Sequence, residues 1–333
     1  MANEIQSSFL GCKIDILEAK SRPYEGAAFN NQCRLHLGFH YPRSAFTIYQ
    51  SIAGYDRFVS KYSAACNEMT SNLYAVHVNG YVSADQYLAV MDSFHLKYRH
   101  VTTPGFFNNR SEIEAVITVP EQWIDLSALK KHQINEFKGN IYCNTVVSDI
   151  DARTGAVYVD DKLFNEYDLV INATYTNPNL GVTKPFYELK YELTALVNCE
   201  TSFDTDTAIT IMDGPFVSIY PSSAKTHTLS SVLHTPFIKC DTHLGLSQHL
   251  KQGLDTLTKA SISEKIINHA GQLIDFEVGK SDLWLSAKVK LASDYGDSRE
   301  TQVKREGKLV SVLCGKLDAA FEASDNIIRE LMI

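Results

Sequence analysis

The sequence predicts an α/β protein in which a helix-flanked, parallel part is interleaved with a mainly antiparallel sheet. Three observations carry this. Helical and strand-like patterns alternate through the first half; residues 188–233 hold four strand-like runs with little helix; and a buried run at 308–313 leads into a closing helix. No internal repeat or low-complexity linker separates the two textures, so they read as interleaved lobes of one protein.

The first element is a helix over 2–10, with Ile5 and Phe9 four apart, and Gly11 stands where a left-handed cap commonly ends a helix. Residues 13–18 (K-I-D-I-L-E) form a short apolar strand that ends in an acid. Helix, glycine, buried strand and terminal Glu18 match the second half of a dinucleotide-binding βαβ unit, where the acid accepts hydrogen bonds from ribose hydroxyls. The preceding strand and its G-x-G-x-x-G loop are not in the sequence. A short helix and strand met by coincidence would look the same.

Residues 47–62 place Ile48, Ile52, Tyr55, Phe58, Val59 and Tyr62 at helical spacing. A strand is expected at 73–78, and a helix at 84–94 with Ser83 as its cap. Strands follow at 114–119, 141–150 and 156–159, with a helix over 125–137 and a turn at 152–155. Asp168 opens a buried strand, D-L-V-I-N, that runs into a polar turn. The antiparallel lobe draws on 191–199, 208–212, 216–220 and 228–233. Helices fill much of 244–270, and a further strand covers 282–291.

The 333 residues suffice for a core without staples, and 44% hydrophobic against 21% charged residues excludes wholesale disorder. A formal charge of −8 with no Lys/Arg-rich run argues against nucleic acid as a partner. No stretch approaches a membrane span, and no basic-then-apolar leader opens the chain, so a cytoplasmic protein is expected. Seven scattered cysteines without a C-x-x-C pair read as reduced thiols, and eleven histidines without ligand spacing predict no metal site.

Candidate chemistry concentrates in 29–47, F-N-N-Q-C-R-L-H-L-G-F-H-Y-P-R-S-A-F-T. Were 33–41 extended, Cys33, Leu35, Leu37, Phe39 and Tyr41 would face the core, while Arg34, His36, Gly38 and His40 would share the other face. A guanidinium, two imidazoles and a side-chain gap could let a flat ligand approach the backbone. A solvated surface strand is the alternative that periodicity alone leaves open.

Asn31, His36, Gly38 and Tyr41 resemble the N-x-x-x-x-H-x-G-x-x-Y stretch of flavoenzymes of the D-amino acid oxidase family, such as L-2-hydroxyglutarate oxidase. The resemblance implies a Rossmann-like FAD-binding domain lacking its first strand and glycine loop, interleaved with a substrate domain. Its boundaries are expected at 1–72, 119–186 and 293–333 for FAD binding, and 73–118 and 187–292 for substrate. In such enzymes the 29–47 stretch lies along the flavin, which implies cofactor contacts from Asn31, Arg34, His36 and Gly38. V-P-E-Q-W-I-D-L (119–126) is similar to the segment leading to the adenine-side strand, where Val146 or Val147 would give backbone contacts. D-L-V-I-N-A-T (168–174) resembles a strand passing beneath the cofactor at Ala173, with Tyr175 where glycine is usual. Gly315, Lys316 and Leu317 match a turn facing the flavin, and Asp297-Ser298-Arg299 resembles the substrate-facing region.

The resemblance therefore implies an FAD-dependent oxidoreductase that oxidises a small amine, amino acid or 2-hydroxy acid by hydride transfer to flavin. His36 and His40 are the candidate bases, since histidine titrates near neutrality. A substrate carboxylate calls for a bidentate arginine; Arg34, Arg43 and Arg299 are available, with Arg299 favoured by its position. Tyr41 and Tyr220 are further substrate candidates. The competing expectation is a flavin-less remnant that serves in binding or as a scaffold.

Overall fold

The computed structural model describes residues 1–293 and 300–332. Met1 caps a helix over Ala2–Ser8, and Gly11 takes the left-handed φ of +86° that the turn into the next strand requires. That strand, Asp15–Leu17, pairs in parallel with Asn140–Tyr142. A second parallel pair joins Val170–Asn172 to Leu309–Leu313, which is flanked on its other side by Gln302–Glu306 running antiparallel. Behind it lies the closing helix, Ala320–Met332. Its Ala323 and Ile327 pack on Val310 and Val312 together with Ile5 of the first helix.

The large mixed sheet has nine strands among the described residues. Along its path they run Ile238–Cys240, Leu189–Thr201, His227–Ser231, Val217–Pro221, Thr207–Met212, Ser71–His77, Ile113–Thr118 and Arg99–His100, with Val278–Leu291 paired to Leu189–Thr201. Side chains alternate across Ser71–His77 with period two. Leu73 and Ala75 join the core under the helix Thr256–Leu273, which contributes Ile262, Ile266 and Ala270. Tyr74 and Val76 face the opposite core, with Tyr87 and Met91 of the helix Ala84–Ser93 and Ile48 of the long helix Ala45–Tyr62.

Local signals account for the helix starts. Ser83 and Gln86 form a reciprocal capping box, Asp125 accepts from the amides of Ser127 and Ala128, and Ser44 caps the long helix. That helix packs Ile48 on the core of the large sheet and buries Phe58 and Tyr62 against Phe321, with ring centroids 6.3 and 6.0 Å away.

Three expectations are corrected. Residues 33–41 are not one strand: only Arg34–Leu35 is extended, because the chain turns at Gly38 and the Tyr41 amide donates to the Gly38 carbonyl at 3.0 Å. Residues 141–150 divide into Asn140–Tyr142 and Val147–Asp151, in different sheets. Asn144 has φ +53°, and the amides of Asn144 and Thr145 bond back to Lys20 and Glu18. The large sheet is mainly antiparallel, as expected, with one parallel pair among the described residues, Thr207–Met212 with Ser71–His77. The last helix starts at Ala320 rather than directly after Gly315. No helix among the described residues is long and apolar enough to cross a membrane.

Candidate functional site

A cavity of about 2620 Å³ runs between the two lobes. Its wall carries Glu18 at the tip of Asp15–Leu17, Ala173 beyond Val170–Asn172, Val146 and Val147, and the turn Gly315, Lys316 and Leu317. Asn31, Arg34, His36, His40, Tyr41 and Arg43 complete the wall from the 29–47 segment. The acid-tipped strand and the glycine-lysine turn, nearly 300 residues apart in sequence, therefore open onto one space. Strands Asp15–Leu17 and Val170–Asn172 each have one paired neighbour among the described residues, and both line the cavity. Their starts are joined by the Tyr167 hydroxyl, which donates to Asp15 Oδ2 at 3.0 Å.

His36 and His40 sit with ring centroids 5.4 Å apart, and Tyr41 lies 5.1 and 5.4 Å from the two. The turn at Gly38 brings these rings together. Gly38 itself is buried, with φ +120°, and is not on the cavity wall: a Cβ there would meet Ile48 Cγ2 at 2.8 Å. Its bare Cα serves close packing of the turn on the long helix, not ligand approach.

Beneath the turn lies Glu121 of the V-P-E-Q-W-I-D-L stretch, a site residue that sequence reasoning missed. It is 1% exposed. Oε1 accepts from the Leu37 amide at 2.7 Å and lies 3.9 Å from His36 Nδ1, and Oε2 accepts from the Tyr74 hydroxyl at 2.6 Å. Burial pushes the Glu121 carboxyl above its usual range, opposed by Tyr74, the Leu37 amide and the charge of Arg34. Only an acid directly after Pro120 hinted at it, and nothing local says that it turns inward.

The arginines differ in their partners. Arg43 pairs with Asp213 and stacks over Tyr81 at 5.2 Å. Arg34, 8% exposed, lies over the Tyr220 ring at 4.3 Å; its Nη1 donates to Thr210 Oγ1 at 2.8 Å and its Nη2 to Gln32 Oε1 at 3.1 Å. Tyr220 is wholly buried and off the cavity wall, its hydroxyl donating to the Gln122 carbonyl at 3.3 Å. It supports Arg34 from below instead of covering the site. Arg299, with Asp297 and Ser298, lies outside the described residues.

At the closing turn Gly315 is exposed, with open space where a Cβ would stand. Lys316 is turned inward: Nζ donates to Ser51 Oγ at 2.6 Å, lies 3.2 Å from Asp318 Oδ2 and sits 4.9 Å from the Tyr41 ring. Burial works against its charge, but Asp318 and Tyr41 more than offset this and its pKa is raised. Asn31 caps its own turn, Oδ1 accepting from the Cys33 amide at 2.6 Å. Glu18 Oε1 accepts from the Lys20 amide at 2.7 Å. Tyr175, at the position where the resemblance leads one to expect glycine, adopts the left-handed φ of +62° and receives the Val289 amide on its hydroxyl.

No protein-family model matches the chain. Over 330 residues it is 29% identical to a Fusarium mangiferae protein named FAD-dependent monooxygenase FPY4, an alignment covering 96% of this chain and 85% of that one. Among solved structures it superposes on glycine oxidase from Geobacillus kaustophilus with a TM-score of 0.71 at 11% identity, covering 99% of this chain and 90% of the other. L-α-glycerophosphate oxidase from Mycoplasma pneumoniae, with FAD bound, gives 0.72 at 12% identity, covering 100% and 91%. L-proline dehydrogenase from P. horikoshii gives 0.65 at 11%, covering 94% and 84%. The chain has the fold of these enzymes: a Rossmann-like part joined to a large mixed sheet.

Proposed function

We propose that this protein is an FAD-dependent oxidoreductase of the D-amino acid oxidase type, oxidising a small amine, amino acid or 2-hydroxy acid. The observation that carries the reading is that Glu18 and the Gly315–Leu317 turn open onto one cavity. The donor set fits a dinucleotide. Glu18 is at a strand tip, as ribose hydroxyls require; Val146 and Val147 offer backbone beside it; and Ala173 and the open Gly315 leave room for a flat ring. The Fusarium relative and the superposed structures bear names of FAD-dependent or amine-oxidising enzymes, which supports the same reading.

Flavin, when bound, supplies the hydride acceptor. The protein's own task is the proton and the orientation of substrate. His36 and His40 stand on the cavity wall as bases for an alcohol proton, their turn held by Glu121. Tyr41 stands against both rings, and Arg299 remains the substrate-side cation suggested by the resemblance. Arg43, engaged by Asp213, shapes the cavity beside Tyr81.

A second reading is a flavin-less binding protein, in line with Asp15–Leu17 and Val170–Asn172 each having one paired neighbour among the described residues. The two readings part on colour. Purified protein that carries visible flavin absorbance, or quenches the fluorescence of added FAD and keeps it through gel filtration, supports the enzyme. Protein that stays colourless with excess FAD sinks it.

A further inference from the structure

His269, on the helix Thr256–Leu273, is a buried imidazole with no part in the chemistry above. Its Nδ1 shares a hydrogen bond of 2.8 Å with the Ser231 hydroxyl at the end of the strand His227–Ser231, and its ring meets that of His234 edge to face at 5.6 Å. His234 belongs to the loop 232–236 that follows the strand. The two imidazoles therefore join a core helix to a surface loop.

The loop is pinned at its ends. The Val232 amide donates to the Phe216 carbonyl at 2.9 Å and the Phe237 amide to that of Leu193 at 3.1 Å, while the amides of His234 and Thr235 only bond back to the Ser231 carbonyl. Val232 and Leu233 are 61% and 58% exposed, so they anchor little. Between the pins, the His234 ring rests on His269. Val232, Thr235 and Pro236 line the cavity, so the position of the loop sets part of the cavity wall.

Burial without a counter-ion makes this contact sensitive to protons. No carboxylate among the described residues lies within 4.0 Å of either ring. Glu264 and Lys265, the nearest charges along the helix, are exposed. The helix also packs on Leu189–Thr201 and Val278–Leu291. Glu192 of the first pairs with Lys290 of the second, and Lys190, Glu200, Lys280, Asp282 and Lys288 exert no field on His269. Burial lowers the His269 pKa below the ordinary 6.5, and the charge of His234 lowers it further. The folded chain thus keeps this ring neutral at a pH where the unfolded chain has taken a proton. The stabilisation is whole above the ordinary value and is lost as pH falls through the lowered one. Two charged rings at this separation, shielded from water, repel.

We propose that His234 and His269 form a proton-operated latch: with both rings charged, the 232–236 loop parts from the helix and opens the stretch of cavity wall that it forms. The device holds whatever the cavity binds and does not rest on the oxidoreductase reading.

Hydrogen exchange of the full chain tests it, read by mass spectrometry as protection factors, which divide out the intrinsic pH dependence of exchange. Between about pH 7.5 and 5, protection of residues 232–235 should fall by about fivefold or more relative to that of Thr207–Met212 in the middle of the sheet. His269→Gln, which keeps a hydrogen-bonding side chain that takes no proton, should flatten this profile, and His234→Asn should weaken it. Protection independent of pH, or a profile that either variant leaves unchanged, overturns the proposal. Should His269→Gln fail to fold, wild type and His234→Asn still decide it.

Discussion

The Tyr74 hydroxyl donates to Glu121 Oε2 at 2.6 Å with both side chains buried, which places a carboxylate in the core directly under the histidine-bearing turn. Burial raises the Glu121 pKa above the ordinary 4.5. The folded chain thus keeps a proton that the unfolded chain has released. The group's contribution to stability is whole below the ordinary value and is lost as pH rises through the raised folded value. Glu121→Gln removes this dependence. Its stability relative to wild type should improve with rising pH by about 1.4 kcal/mol per unit inside that window and then level off. Urea melts across about pH 4 to 8 measure it, and a difference that stays constant over that range contradicts the assignment.

Lys316 and Asp318 form a buried pair, with side chains 5% and 3% exposed. Removing one partner strands the other charge. Lys316→Ala should destabilise by about 3–5 kcal/mol, and Lys316→Met combined with Asp318→Leu by clearly less, because both charges then leave together. Denaturant unfolding of the three proteins checks the ordering.

Gly38→Ala places a methyl 2.8 Å from Ile48 Cγ2 at a backbone φ of +120°. The loss should exceed about 1 kcal/mol. Because the turn carries His36 and His40, the melting temperature should fall together with any ligand binding at the histidines. An unaltered melting temperature would show that the turn relaxes freely.

Glu18→Ala leaves the fold intact, since the side chain is only half-buried and bonds within its own turn. If the acid holds ribose hydroxyls, FAD affinity should drop by about tenfold or more in fluorescence titrations. Unchanged affinity removes Glu18 from the site.

His36→Ala should abolish flavin reduction by a productive substrate found among amines, amino acids and 2-hydroxy acids, while FAD absorbance and the melting temperature are kept. Stopped-flow reduction rates equal to those of wild type would reassign the base to His40.

Sequence by itself determined the elements whose causes are local. Helical spacing in 47–62 and 84–94, the Ser83 and Asp125 caps and the strand that ends at Glu18 are each written within about twenty residues, because helix and strand bonds and one-sided burial are short-range. The tertiary structure decided which polar groups meet. Glu121 reaches Leu37 across 84 residues, Asp213 reaches Arg43 across 170, and Lys316 reaches Ser51 across 265. No periodicity records such pairings, for they depend on which loops the sheet order brings together. The same physics ended the expected 33–41 strand after Leu35: close packing of Gly38 on Ile48 turned the chain and gathered His36 and His40.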